Sequence, residues 1–158
     1  MNLINEIRSL EAKLRYLRNE LESIYELQTV LKAEFKESVQ KGNTANPIER
    51  FVIRLDEYYE EITQLSNELA EKRKKLWLIV SSFPNEKMID VITLRVKDNY
   101  TINEMAEMLK ISDRSVRRYL MQSMECFEAR CSDPEFMKAV DYAYKNNLPL
   151  MTGKNNFF

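Results

Sequence analysis

The sequence contains no histidine in its 158 residues. Without an imidazole, the chain cannot assemble a Ser-His-Asp or Cys-His nucleophilic system, and it cannot bind a metal ion through histidine ligands. It has only two cysteines, Cys126 and Cys131, which are too few for a four-thiolate metal site. We expect both to be reduced, partly buried thiols. These absences predict a protein that is not an enzyme and that requires no cofactor and no metal.

Glycine and proline are also scarce, at 2 and 4 residues. Because both interrupt regular structure, their scarcity predicts long helices joined by few loops. Hydrophobic residues make up 44% of the chain and charged residues 31%, which is typical of a folded protein. The longest apolar run, residues 76–80, is too short to cross a membrane, and no signal peptide is recognisable. We therefore expect an all-α protein in the cytoplasm.

The first 40 residues carry apolar side chains at alternating intervals of three and four, which is the coiled-coil spacing. The members of this seam are Leu3, Ile7, Leu10, Leu14, Leu17, Leu21, Ile24, Leu31 and Phe35. Gln28 occupies one seam position. After a break at residues 41–47, the seam resumes from Ile48 to Phe83, with Lys72 as its polar exception. Two long helices joined by a short loop favour an antiparallel hairpin, which closes on itself or pairs with a second copy.

The breaks in the pattern predict three regions. Residues 1–83 form a coiled-coil helical hairpin for oligomerisation or partner binding, and we expect a homo-oligomer, most simply a dimer, through these helices. Residues 84–131 form a helix-turn-helix DNA-binding domain, and residues 132–158 a C-terminal helix and tail. Within the last two regions we predict helices over 86–97, 102–110, 113 to about 130, and 134 to about 146, the last capped by Asp133.

The helix-turn-helix is predicted from residues 100–120. Thr101 and Glu104 have the spacing of a capping box, which begins the first helix. Ile111 is expected to be buried in a three-residue turn, and Ser112 to cap the second helix. A short helix, a tight turn holding one apolar residue and a capped second helix is the layout of a helix-turn-helix.

The outer face of the second helix is predicted to be the DNA-binding site. If Val116 points inward, a step of about 100° per residue turns three arginines outward. Arginine can bond guanine or clamp phosphates, glutamine can read adenine, and serine can bond a phosphate or a base edge. The predicted site consists of Arg114, Ser115, Arg117, Arg118 and Gln122. Because the net charge of the chain is -1, contact with double-stranded DNA must come from such a local patch.

From about Lys72 to Phe127 the chain resembles the sigma factor region 4-type helix-turn-helix of phage and prophage transcriptional regulators, the ArpU and RinA-like group. The residues that carry the resemblance are Pro84, Leu94-Arg95, Thr101 and the segment from Ser112 to Leu120. The resemblance implies a phage-encoded regulator that acts on promoter DNA and contacts RNA polymerase in the cytoplasm of a bacterial host cell. The chain departs from the family at Lys110, where the turn often holds glycine or asparagine.

Two other functions use the same features. A small-terminase-like DNA-packaging subunit also combines a helix-turn-helix with oligomerising helices, although in that group the DNA module usually precedes the hairpin. A coiled-coil interaction or inhibitor protein would hold its partner through residues 1–83 and leave the helix-turn-helix unused. A large ring of subunits would favour packaging, whereas a dimer would favour regulation.

Overall fold

The computed structural model of the protein describes residues 2–40 and 47–150, and these residues form helices and no strands. This confirms the all-α fold class. The helices of the described ranges are α1 (Leu3–Gln40), α2 (Pro47–Ser81), α3 (Glu86–Lys97), α4 (Ile102–Leu109), α5 (Asp113–Cys131) and α6 (Pro134–Asn146). The bounds of α3 and α6 are as predicted, whereas α4 ends one residue earlier than expected. The break predicted at residues 41–47 lies outside the described residues, except for Pro47, which begins α2. None of the described helices has the length and apolarity needed to cross a membrane.

The chain divides into two compact units, and the division falls within α2. Of the described residues, the N-terminal unit holds 5–40 and 47–71, and the C-terminal unit holds 72–150 together with 2–4. The predicted boundary at Pro84 is therefore not where the compact units meet. Residues 72–83 and 132–150 fall in the same compact unit as residues 84–131.

In the N-terminal unit, α1 and α2 touch through their side chains. Lys13 Nζ lies 3.4 Å from Glu61 Oε1, and the hydroxyl groups of Tyr25 and Tyr59 are in contact. The described members of the predicted seam in this unit are all buried or half-buried. Its buried members in this unit are Ile7, Leu14, Leu17 and Leu69. Its half-buried members are Leu10, Leu21, Ile24, Phe51, Leu55, Tyr58, Ile62 and Leu65. The side chains of Leu31, Phe35 and Ile48 lie outside the described part of the chain.

The C-terminal unit has a core at the meeting point of three helices. α5 packs against α3, α4 and α6. Val91 on α3, Met105 on α4 and Val116 on α5 are fully buried, and Ala106 on α4 supplies a small side chain beside them. Full burial of such a side chain stabilises the fold by about 1.5–3 kcal/mol. The partly buried residues packed on this cluster are Leu94, Tyr100, Ile102, Leu109, Ile111, Tyr119 and Leu120.

A buried hydroxyl links α5 to α3 next to this core. Ser123 has no exposed surface, and its Oγ lies 3.0 Å from the Met88 carbonyl oxygen and 2.7 Å from the Tyr119 carbonyl oxygen. A buried hydroxyl without a partner costs about 1–3 kcal/mol. Because Ser123 is paired, it costs the fold little and instead fixes the register of α5 against α3.

The end of α2 joins this unit through both apolar and polar contacts. Leu76, Ile79 and Val80 are buried. Lys75 Nζ lies 2.8 Å from Asp141 Oδ1 on α6, and its ammonium group lies 5.4 Å from the ring of Tyr144. These contacts explain why the compact units divide at residue 72. Trp77, which follows Leu76 in the sequence, is half-buried.

Four helices of the C-terminal unit begin at a side chain that accepts a backbone hydrogen bond. These N-caps are Asn85, Thr101, Ser112 and Asp133. Such a cap satisfies one of the amide groups that a helix leaves unpaired at its start, and losing it costs about 1 kcal/mol. The caps at Thr101, Ser112 and Asp133 confirm the prediction from sequence, whereas the cap at Asn85 was not predicted.

The capping box at the start of α4 also perturbs a titration. The Thr101 backbone N–H and its hydroxyl both donate to Glu104 Oε2, each at 2.7 Å. The backbone hydrogen bond first, and the hydroxyl second, hold the pKa of the Glu104 carboxyl below its usual value of 4.5. A carboxyl whose pKa is lowered in the folded state stabilises the fold above its unfolded pKa. That contribution is lost as the pH falls through the lowered value.

We therefore predict that Glu104→Gln destabilises the protein more at pH 7 than at pH 3. At pH 7 the wild-type carboxylate is charged and accepts both hydrogen bonds of Thr101, whereas at pH 3 a larger fraction of it is protonated and resembles the glutamine. The free energy of unfolding measured by urea denaturation at both pH values checks this. Glu107→Gln on the same helix is the control, because that residue lies outside the capping box. An equal loss at both pH values would contradict the prediction.

Candidate nucleic-acid interface

The candidate interface begins at the turn between α4 and α5. Lys110 adopts the left-handed conformation, with φ 54° and ψ 44°. The Ile111 N–H donates to the Ala106 carbonyl at 3.1 Å, and the Lys110 N–H donates to the Glu107 carbonyl at 3.4 Å. This pattern is the Schellman motif, which ends a helix and reverses the chain sharply. Ile111, which the sequence predicted as buried, is half-buried and packs on the core cluster.

The conformation of Lys110 leads to a stability prediction. A side chain with a Cβ atom is strained in the left-handed region, whereas glycine is not. We expect Lys110→Gly to raise the free energy of unfolding by about 0.5–1 kcal/mol, after the greater entropy of unfolded glycine is subtracted. Lys110→Ala is the control, because it removes the same charge and keeps the Cβ. Thermal unfolding of the three proteins decides, and a glycine variant no more stable than the alanine variant would contradict the prediction.

The start of α5 is fixed by two serines. The Ser115 N–H donates to Ser112 Oγ at 3.2 Å, and the Ser112 hydroxyl donates to Ser115 Oγ at 3.0 Å. Ser115 is half-buried. Ser115, one of the five residues that the sequence predicted as a DNA-binding site, is therefore already hydrogen-bonded within the protein.

The other four predicted residues lie on the exposed side of α5. Val116 has no exposed surface, whereas its neighbours Arg117 and Arg118 are exposed, as is Arg114 one turn earlier. Gln122 is exposed one turn after Arg118. Met121, between them, is 59% exposed. The structure thus brings the three arginines and Gln122 together along about two and a half turns of one helix.

Charge is distributed unevenly along α5. The residues from 113 to 122 contain three arginines and one acidic residue, Asp113. The remainder of the helix contains Glu125, Glu128 and Arg130. The positive end of the helix dipole lies at the N-terminus, so the dipole and the arginines favour an anion at the same end. Lys110, exposed in the preceding turn, adds a further cation. It was not among the residues predicted to bind DNA.

Two arginine contacts were not predicted from the sequence. The Arg118 guanidinium lies over the ring of its neighbour Tyr119, 5.0 Å from the centroid. Stacking of this kind restricts the arginine side chain before any ligand arrives. Arg95 Nη1 donates to the Tyr100 carbonyl at 2.9 Å, so this arginine joins the end of α3 to the loop before α4. Arg95 therefore has a structural role, whereas Arg114, Arg117 and Arg118 are exposed.

Residues 2–40 and 47–150 contain no group of three or more acidic or thiol side chains placed to bind a metal ion. Cys126 and Cys131 are half-buried and do not form a disulfide with each other. No protein-family model matches the chain, no curated protein is detectably similar to it, and no solved structure matches its fold. The candidate site is therefore defined by its own geometry: a capped helix with an apolar inner side and a cationic outer side.

Proposed function

We propose that this chain is a DNA-binding transcription regulator that inserts α5 into the major groove of double-stranded DNA. The observation that carries the proposal is the separation of faces on α5. Val116 is fully buried, while Arg114, Arg117 and Arg118 are exposed on the same three turns. An α-helix fits the major groove of B-form DNA, and arginine is the side chain most often used there to read guanine.

The connection between α4 and α5 supports the same proposal. A helix-turn-helix needs a first helix that crosses the second closely and a tight turn that holds the angle between them. Ala106, with its small side chain, is buried beside Val116 in the core cluster. The Lys110 turn and the Ser112 cap fix the two helix ends that meet there. Three independent features, namely packing, turn and cap, thus agree with the placement of charge.

The expected affinity of a single module is modest. If each of the three arginines neutralises one phosphate, the logarithm of the binding constant falls with the logarithm of salt concentration with a slope of about 2.7. Binding of that kind is weak at physiological salt unless base contacts or a second module add to it. The resemblance to phage regulators extends the proposal to promoter DNA and to contact with RNA polymerase.

Selection of duplexes from a random-sequence library by the full chain tests the proposal. We expect the selection to enrich a short common motif that binds at least about a thousandfold more tightly than unrelated DNA at the same salt concentration. Mapping of bound sites across a bacterial genome that expresses the chain then shows whether the motif lies at promoters. A folded protein that enriches no motif would contradict the proposal.

A further inference from the structure

Within residues 15–26, one flank of α1 carries charges whose sign reverses halfway along the segment. Arg15 and Arg18 come first, Glu22 and Glu26 follow, and all four side chains are exposed. At about 100° per residue, these four positions fall within a sector of about 80° beside the apolar seam. We call these four residues the reversal flank. Its first half is positive and its second half is negative.

Apolar surface accompanies the reversal flank. Tyr25, on the same side of α1, is 42% exposed, and its hydroxyl contacts that of Tyr59 on α2, which is 46% exposed. Leu21 is a seam residue at the centre of this region and is only half-buried. Half-covered seam residues bordered by exposed charges are the arrangement that helical interfaces use, with apolar contact at the centre and charge pairs at the rim.

We infer that a second copy of this chain docks on the reversal flank, with the two α1 helices antiparallel. A twofold axis near residue 20 places Arg18 level with Glu22 of the second copy, and Arg15 level with Glu26 of the second copy. The symmetry repeats each pair, so four ion pairs form around one axis. In the parallel alignment like charges would meet, which costs free energy. The charge pattern therefore selects both the occupant and its direction.

This inference does not rest on the proposed DNA binding, because the reversal flank lies on α1 and the arginines of the candidate interface lie on α5. The inference gives α1 a specific role, which is to join two copies of the chain. Rim charges at an interface determine orientation and partner choice more than affinity. The seam and the tyrosines supply the apolar contact, and the reversal flank fixes which way the two chains run.

Two double variants of the full chain test the pairing. The acidic variant carries Arg15→Glu and Arg18→Glu, and the basic variant carries Glu22→Arg and Glu26→Arg. Each alone presents like charges to its own copy, so we expect its self-association to be at least about tenfold weaker than that of the wild type. Mixed together, the two variants are expected to form a one-to-one dimer. Sedimentation equilibrium measures this against a monomer mass of 18.8 kDa.

A fourfold variant with all four changes exchanges the two signs and keeps the pattern self-complementary. We expect it to dimerise like the wild type, and its recovery shows that the acidic variant fails through charge and not through loss of fold. A control variant carries Lys97→Glu and Lys145→Glu, at two exposed positions in the C-terminal unit. It changes the net charge by as much as the acidic variant does, and we expect it to dimerise like the wild type. Circular dichroism checks the helix content of each protein.

Three results would overturn the inference. They are a wild type that stays monomeric at its highest soluble concentration, double variants that dimerise as tightly as the wild type, and a mixture that forms no one-to-one species. An assembly larger than a dimer that none of the four charge changes weakens would indicate another contact surface, and it would overturn the inference as well. These variants change α1 and leave α5 intact. The dimerisation test can therefore fail while the DNA selection succeeds, or the reverse.

Discussion

Replacing Arg114, Arg117 and Arg118 together by alanine is expected to weaken binding to a selected duplex by about a hundredfold or more, with the fold intact. All three side chains are exposed, so their removal costs no packing in the core. Each arginine that bonds a base or phosphate contributes about 1–3 kcal/mol, and the loss of three such contacts is the largest effect that the candidate interface allows. Fluorescence anisotropy with the labelled duplex measures it.

The salt dependence of the same variant separates its two contributions. If the arginines contact phosphates, the slope of the logarithm of the binding constant against the logarithm of salt concentration becomes shallower by about 2.7. If they read bases, affinity falls while preference for the motif is also lost. A control that replaces Lys97, Lys138 and Lys145 by alanine removes the same charge from other exposed positions of this unit. Equal losses in the two triple variants would show a general charge effect and remove α5 from the proposal.

Phe127→Ala is expected to lower the free energy of unfolding of the C-terminal unit by about 3–5 kcal/mol, because it leaves a cavity where a large side chain was enclosed. Phe127 has no exposed surface and is the largest of the fully buried residues in the described ranges. That loss is a large part of the 5–15 kcal/mol by which a domain is usually stable.

The single tryptophan makes this measurement specific to one unit. Trp77 lies in the C-terminal unit, so its fluorescence during urea denaturation follows that unit, while circular dichroism follows both. Met121→Ala is the control on the same helix, because Met121 is 59% exposed and its truncation is expected to change stability by less than about 0.5 kcal/mol. Equal stability of the Phe127 and Met121 variants would mean that Phe127 does not lie in the core.

The features that the sequence predicted well are those determined within a few residues. The caps at Thr101, Ser112 and Asp133 depend on a side chain and an amide two or three positions further on. Such spacing is visible in the sequence itself. The exposed side of α5 follows for the same reason, because helical periodicity fixes it once Val116 is placed inside.

The features that the sequence did not predict depend on contacts between distant segments. The division of the compact units within α2 follows from contacts such as that of Lys75 with Asp141, which no local pattern reveals. The half-burial of Trp77 depends in the same way on which segments cover it. Lys110 also escapes prediction, because a lysine gives no local sign of a positive φ, whereas glycine or asparagine would have given one.

The buried hydroxyl of Ser123 has a consequence for the arginines that lie up to two and a half turns away. Apolar side chains hold α5 in place through the fit of their shapes, and a hydrogen bond adds a preferred direction to that fit. The contact of the Ser123 hydroxyl with the Met88 carbonyl on α3 adds such a directional restraint on the rotation of α5. The direction in which Arg114, Arg117 and Arg118 point into solvent thus depends in part on Ser123, a buried side chain that no ligand can reach.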